Sequence, residues 1–233
     1  MRKSNLYYTD SEYMDDSMEH LVSAYLKRVN DFNFTAHREE ERFRVLNIQD
    51  SVQPFEEQCF EIPDGAHVAD IGTGGGFPGM PLAVLRLDAH FTLMDSVGKK
   101  LHLIDSVAKE CGIENVRTVH GRLEELGQRP SYREHFDVVT SKAVAQLATL
   151  LELALPLVKV GGHAALYQSE AVREELPLLQ EVVELLGGGT PVCTSYSLSG
   201  EYGSRVMVVI PKVKPTPGQY PRKVGVPKEK PLS

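Results

Sequence analysis

Apolar residues in the first sixty positions of the chain recur with a helical period. In SEYMDDSMEHLVSAYLKRVNDFNF they share one helix face (Met14, Met18, Leu21, Val22, Tyr25, Leu26 and Val29). Asp10 or Ser11 stands where an N-cap is expected. A second helical stretch, REEERFRVLNIQDSVQPFEE, follows and is expected to be interrupted at Pro54. We therefore predict an N-terminal helical extension over residues 1–63.

From residue 64 onward the pattern changes to short apolar runs that alternate with helices. HVADIG, HFTLMDS, VRTVHG, FDVVTSKA and HAALYQ predict strands. MPLAVLRL, GKKLHLIDSVAKECG and AVAQLATLLELALPLV predict the intervening helices, and SEAVREELPLLQEVVELLGG predicts a further long helix. This order is typical of an α/β protein with a doubly wound, mostly parallel sheet.

Two further strand-like runs end the predicted domain, which covers residues 64–212. PVCTSYSL and SRVMVVIPK are joined only by SGEYG, which is too short for a parallel crossover. We therefore predict a C-terminal antiparallel hairpin. Such an ending differs from the six-stranded parallel arrangement of dinucleotide-binding domains and favours a methyltransferase-type sheet.

A glycine-rich loop, DIGTGGGFPGMPL, follows the first predicted strand. Gly74 to Gly79 satisfy G-x-G-x-x-G, which alone is a weak signal and leaves a dinucleotide or S-adenosylmethionine as the ligand. Glycines such as Gly72 and Gly74 let the backbone approach a ligand closely. A carboxylate at Asp70 would repel a pyrophosphate and suits the cationic amino-acid end of S-adenosylmethionine. The alternative for Asp70 is a carboxylate that only caps loop N–H groups.

Two more strand ends carry candidate binding residues. Asp95 ends the second strand about twenty residues after the loop, where a carboxylate accepts hydrogen bonds from ribose hydroxyls. Its alternative role is a cap for the next helix. Lys142 ends the fourth strand, and ligands of open α/β sheets bind at the carboxyl ends of strands. Both residues are therefore predicted to face one site.

Charge is distributed unevenly along the chain. The net charge is −7, but residues 205–233 hold seven basic residues and one acidic residue, so this end carries +6 and the other 204 residues carry −13. Such asymmetry indicates a surface that meets a polyanion, although a solvated tail remains the alternative. Five prolines and two glycines after Pro211 predict an extended basic tail over residues 213–233.

The composition argues against a membrane protein, a secreted disulfide-linked protein and a metalloprotein. No apolar run approaches the roughly 20 residues of a transmembrane helix, and no signal peptide precedes the helices. The three cysteines are far apart and odd in number, which predicts reduced thiols and a cytoplasmic protein. No ligand spacing suggests a metal site.

Several segments, in order, resemble one known family. FNFTAHRE, DIGTGGGFPGMPL, LMDSVGKK, HGRLEEL, FDVVTSKAVA and QYPRKVGVPKEKPL are similar to the bacterial glucose-inhibited division protein B family, whose members methylate guanine N7 in 16S ribosomal RNA. The resemblance implies a seven-stranded class I methyltransferase sheet, S-adenosylmethionine as cofactor, and 16S rRNA or the small ribosomal subunit as partner. Carried over by position, it implies cofactor contacts at Gly72, Phe77, Leu123, Glu124 and Lys142.

Three positions depart from the family pattern. Lys142 replaces a usual arginine and lacks its bidentate fork. Asn47 stands where histidine is frequent, and Gln168-Ser169 replaces a lysine-glycine pair.

The implied methyl transfer places few chemical demands on side chains. Guanine N7 needs no deprotonation before it attacks a sulfonium methyl group, so positioning is the main requirement and no catalytic residue is assigned. The predicted contacts to RNA phosphates are all basic: Arg38, Lys142, Arg205, Arg222 and Lys223. The alternatives are a methyltransferase of another RNA, a small molecule or a protein, an NAD-dependent oxidoreductase, and a non-catalytic RNA-binding module. A monomer is expected.

Overall fold

The computed structural model describes residues 16–29, 35–142 and 145–233. The predicted N-cap at Asp10 or Ser11, the apolar position Met14 and the predicted helix start at Ala143 lie outside the described residues. Among the described residues, no helix is both long enough and apolar enough to cross a membrane.

Seven strands form one sheet in the order β3-β2-β1-β4-β5-β7-β6. They are His67–Ile71 (β1), His90–Asp95 (β2), Val116–His120 (β3), Phe136–Lys142 (β4), Val158–Gln168 (β5), Val192–Ser197 (β6) and Ser204–Pro211 (β7). The first five pair in parallel, and β7 inserts antiparallel between β5 and β6. The doubly wound, mostly parallel sheet and the terminal antiparallel hairpin are confirmed.

Ten α-helices flank the sheet or extend it within the described residues. They are Asp16–Leu26 (α1), Glu40–Phe43 (α2), Asp50–Glu56 (α3), Gly79–Leu85 (α4), Gly98–Cys111 (α5), Leu123–Leu126 (α6), Leu147–Ala154 (α7), Val172–Glu175 (α8), Gln180–Leu185 (α9) and Val226–Glu229 (α10). A π-helix, Arg44–Gln49, joins α2 to α3, and 3-10 turns cover Leu155–Leu157 and Leu176–Leu179.

Two helix predictions were wrong in detail. The extension helix runs through Pro54 instead of stopping there, because the carbonyl groups of Gln53 and Pro54 still accept from Glu57 N and Cys59 N, each at 2.8 Å. The run after β5 is broken into α8, a 3-10 turn and α9, since a proline stands near the start of that turn.

The sheet separates two layers of buried side chains. One layer joins the extension to α4 and α5, with Leu21, Tyr25 and Phe43 buried beside the β1 residue Val68. The other layer packs α7 and the segment from α8 to α9 on the opposite face. The extension thus shares a core with the sheet, and the boundary at residue 63 stays a prediction.

The basic tail packs onto the second layer and includes the helix α10, so it is not extended throughout as expected. Arg133 donates to the carbonyl of Tyr220 at 2.7 Å, and Thr149 Oγ1 on α7 donates to the carbonyl of Pro227 at 2.9 Å. Lys212 at the head of the tail is buried, and its Nζ lies 3.4 Å from Glu134. Backbone groups throughout the tail find partners on the domain, so it folds as a strap.

Candidate cofactor and RNA site

The carboxyl ends of β1, β2, β3 and β4 meet at one edge of the sheet. The glycine loop follows β1, Asp95 ends β2, α6 follows β3, and Lys142 ends β4. Parallel pairing in register along these four strands brings the four features together, as the sequence predicts. This edge is where open α/β sheets bind their ligands.

The glycine loop has a backbone that only glycine adopts easily. Gly72, Gly74 and Gly76 have φ values of +62°, +59° and +100°, in the left-handed region. The N–H of Thr73 donates to the carbonyl of Met94 on β2 at 3.1 Å, which ties the loop to the sheet. The loop is therefore a fixed turn, in which the half-buried Gly72 and Gly74 carry no Cβ atom.

The Asp70 side chain accepts hydrogen bonds from both ends of this loop and from β4. Its carboxylate is fully buried and accepts from Thr73 Oγ1 at 2.5 Å, Gly79 N at 3.0 Å and Thr140 Oγ1 at 3.2 Å. Burial raises its pKa to about 6, against the effect of these hydrogen bonds. The prediction of a direct cofactor contact is thus corrected: Asp70 has the capping role that the sequence left open, because no face of the carboxylate reaches the surface.

Asp95 bridges the loop and the segment after β2. Its two carboxylate oxygens accept from Gly74 N at 2.9 Å and from Val97 N at 2.8 Å. The side chain thereby holds backbone N–H groups on both sides of it, but neither N–H belongs to α5, so Asp95 does not cap that helix as the alternative had it. Each carboxylate oxygen has two lone pairs, so both retain one acceptor position for a ligand hydroxyl.

Phe77 belongs to an aromatic cluster instead of the ligand face. Its ring centroid lies 4.9 Å from that of Tyr25 and 5.7 Å from that of Phe43, and only 5% of the residue is exposed. The predicted cofactor contact at this position therefore falls to the backbone and stays a prediction.

On the β3 side, Glu124 is tied to the tail. It is 6% exposed, and its Oε1 accepts from Arg122 at 3.2 Å and from Gly225 N in the tail at 3.1 Å. Burial acts to raise its pKa, but these hydrogen bonds and that of its own backbone N–H outweigh burial, so the pKa lies below the usual value. Leu123 is buried beside it, so α6 is held against the sheet.

Lys142 is directed toward the extension. Its Nζ donates to the carbonyl of Leu46 in the π-helix at 2.8 Å and to Asp50 at 3.1 Å. Tyr196 on β6 donates to the other carboxylate oxygen of Asp50 at 2.8 Å. Burial lowers the pKa of Lys142, while the charge of Asp50 opposes that effect. Lys142 therefore holds the extension against the sheet, and its contacts with cofactor and RNA phosphate stay predictions.

The predicted RNA contacts fall into two groups. Arg38 is exposed on the extension next to His37, and Arg205 lies half-buried on β7 close enough to affect the pKa of Lys142. Burial is the main cause that lowers the pKa of His37, and the charges of Arg42 and Lys142 add to this effect.

The other group lies on the tail. Lys223 is exposed, whereas Arg222 pairs with Glu152 on α7, whose side chain is fully buried. The guanidinium of Arg222 thus compensates a buried carboxylate, and its contact with RNA stays a prediction.

Sequence reasoning missed Tyr25 and Asp50. Tyr25 looked like one apolar position among several on α1, yet its hydroxyl donates to the carbonyl of Gly75 at 2.7 Å. Asp50 sits within a helical run, and its partner Lys142 is 92 residues away. The only sign of this pair in the sequence was Lys142 itself, because a lysine in place of the usual arginine forms different contacts.

Comparisons with known proteins agree on one family. A family profile described as rRNA small subunit methyltransferase G matches residues 14–196. The chain is 41% identical over 208 residues to "Ribosomal RNA small subunit methyltransferase G" of Lactobacillus delbrueckii subsp. bulgaricus, covering 89% of this chain and 87% of that protein. It is also 41% identical to the protein of the same name from Clostridium novyi, covering 86% and 82%.

A solved structure shares the fold at low identity. It is described as a SAM dependent methyltransferase from Aquifex aeolicus and superposes with a TM-score of 0.54 at 18% identity, covering 80% of this chain and 97% of that chain. The class I methyltransferase fold predicted from the resemblance is confirmed.

Proposed function

The chain belongs to the rRNA small subunit methyltransferase G family and is a methyltransferase of ribosomal RNA, and from this premise we propose that it transfers a methyl group from S-adenosylmethionine to N7 of a guanine in 16S rRNA. One observation carries the proposal. A glycine loop with three left-handed glycines lies against Asp95, a carboxylate with acceptor positions to spare, at the carboxyl edge of a methyltransferase sheet.

The residues of this edge fit S-adenosylmethionine better than a dinucleotide. The loop N–H of Gly74 already donates to Asp95, so this N–H is not available to bind a pyrophosphate. Asp95 suits ribose hydroxyls, which donate to a carboxylate. Backbone groups of Gly72, Gly74 and Phe77 suit the amino-acid end, and those of Leu123 and Glu124 suit the adenine. An NAD-dependent oxidoreductase is the weaker reading, because β7 runs antiparallel.

S-adenosylmethionine supplies, when bound, a methyl group on a positively charged sulfur. Guanine N7 carries an in-plane lone pair and no proton, so no side chain has to act as a general base. The work left to the protein is to hold the acceptor nitrogen in line with the methyl group, and such positioning is worth several kcal/mol. This agrees with a site in which Asp70, Asp95 and Lys142 all help to fix the scaffold, while Asp95 keeps acceptor positions for ribose hydroxyls.

We assign the RNA-facing surface to the extension and the start of β7. Arg38 and Arg205 flank the edge at which Lys142 sits, and several such phosphate contacts act cumulatively. Lys223 on the tail is a further exposed contact, whereas the guanidinium of Arg222 is already paired with Glu152. A monomeric state and a cytoplasmic location stay predictions.

Methyl transfer from tritiated S-adenosylmethionine tests the proposal. The substrates are small-subunit particles and free rRNA from cells that lack the enzyme, and the product is mapped to its base and atom. We expect label on a single N7-methylguanine. Asp95→Asn should weaken cofactor binding at least tenfold, because the amide replaces one acceptor by a donor.

Asp105→Asn is the matched control, since Asp105 is an exposed carboxylate on α5 that binds Thr118 Oγ1 at 2.9 Å. Label on another RNA, on protein or on a small molecule would overturn the substrate assignment. Binding of NAD but not of S-adenosylmethionine would overturn the cofactor assignment as well.

A further inference from the structure

Helix α1 reaches the glycine loop through one side chain. Tyr25 is fully buried, and its hydroxyl donates to the carbonyl of Gly75 at 2.7 Å across 50 residues of sequence. Burial raises the pKa of this phenol well above its usual value, so the hydroxyl remains a donor throughout the working pH range. The carbonyl of a loop that is expected to contact the cofactor is thereby held from the extension.

The loop is shaped around this hydroxyl. A Cβ atom added to Gly76 would lie 2.6 Å from Tyr25 Oη and 2.7 Å from Met80 Cγ, closer than such atoms approach in proteins. The φ of Gly76 is +100°, so both the conformation and the space require glycine. The phenol occupies the place that a side chain at position 76 would otherwise fill.

Aromatic packing fixes the ring as firmly as the hydroxyl. The Tyr25 ring lies 4.9 Å from Phe77 and 5.9 Å from Phe43, and all three residues are at least nine-tenths buried. Because Phe77 directly follows the glycines, the extension contacts the loop both at the carbonyl of Gly75 and just beyond it.

The loop is consequently held from two sides. The Asp95 carboxylate holds the N–H of Gly74 from the sheet, and the Tyr25 hydroxyl holds the carbonyl of the next residue from the extension. Rotation of the peptide unit that contains the Gly75 carbonyl would break the second contact. Peptide orientations in this turn decide which backbone groups face a ligand.

We propose that Tyr25 is a positioning residue that sets the cofactor-binding conformation of the glycine loop. Cofactor affinity then depends on how α1 packs against this loop. This deepens the proposed function and rests on it, since it assumes that the loop binds S-adenosylmethionine. Tyr25 acts through the Gly75 peptide and the Phe77 ring and does not touch the reacting atoms.

Tyr25→Phe tests this inference, because it removes only the hydroxyl. Thr149→Val is the matched control: it also removes one buried hydroxyl that donates to a backbone carbonyl, at 2.9 Å, but in the opposite layer. Titration calorimetry with S-adenosylhomocysteine and steady-state kinetics with varied S-adenosylmethionine are measured on the full chain. We expect Tyr25→Phe to raise the Kd and the KM for cofactor about 3- to 10-fold, with kcat and the KM for RNA within about twofold.

A purely structural role predicts a different result. Both variants would then lose thermal stability alike while cofactor affinity stays at the wild-type value, and that outcome overturns the inference. Should Tyr25→Phe fail to fold, Phe43→Leu loosens the same ring without removing the hydroxyl, and an unchanged Kd in that variant is equally decisive against it. Absence of cofactor binding by the wild-type chain instead refutes the proposed function.

Discussion

Replacement of Arg222 by methionine should destabilise the protein strongly. Its guanidinium and backbone N–H make four hydrogen bonds, of 2.7 to 3.1 Å, to Glu152, whose side chain is fully buried on α7. Arg222→Met keeps only the backbone hydrogen bond and leaves the buried carboxylate of Glu152 without its cation. Breaking such a pair from one side costs about 3–5 kcal/mol. For a chain of this size that lowers the Tm by roughly 6–20 °C.

Urea unfolding followed by circular dichroism measures the free energy of unfolding directly. The double variant Arg222→Met with Glu152→Leu should recover about half or more of the loss, because no buried charge is then left without a partner. Lys223→Met is the control at the next position, where the side chain is exposed, and should change stability by less than about 0.5 kcal/mol. A loss below about 1 kcal/mol in Arg222→Met, together with weaker RNA binding, would refute this reasoning and restore Arg222 as an RNA contact.

Three further substitutions test the scaffold of the site. Gly79→Ala should cost about 1–3 kcal/mol in urea unfolding, since the new Cβ would lie 2.9 Å from both Asp70 Oδ2 and Leu93 Cγ; unchanged stability would show that the turn yields. Because the pKa of Asp70 is raised from 3.8 to about 6, the fold favours its neutral form. Wild type should therefore gain about 2 kcal/mol relative to Asp70→Asn as the pH falls from 7.5 to 4.5, and a constant difference contradicts the raised pKa. Lys212→Met removes a buried ammonium that donates to Thr216 Oγ1 at 2.6 Å, and calorimetry should show a Tm several degrees lower; an unchanged Tm would mean that the strap is held without it.

The sequence predicted more of the sheet than of the candidate site. The alternation of strands and helices located all seven strands, and the five-residue link between the last two was enough to predict their antiparallel pairing. The positions of Asp95 and the glycine loop at strand ends followed from the same pattern, since parallel strands direct their carboxyl ends to one edge. The role of Asp70 did not follow, because a carboxylate after a strand serves a ligand or a loop with the same local sequence.

The basic residues of the tail show most clearly what the sequence alone did not predict. Seven basic residues in the last 29 positions indicated a polyanion partner, but Arg222 and Lys212 face the carboxylates of Glu152 and Glu134, which lie 70 or more residues earlier. A charge count along the chain does not reveal which charges the fold will pair.

The sequence by itself determined the elements, the layer architecture and the glycine turn, because hydrophobic period, loop length and the left-handed preference of glycine act over a few residues. Only the tertiary structure decided that Tyr25 holds Gly75, that Asp50 holds Lys142 and that the basic tail is a strap. These contacts join residues 50 to 92 positions apart, and they form only when burial of the whole core brings the segments together. The free energy of that burial is shared among many side chains, so no local pattern in the sequence carries it.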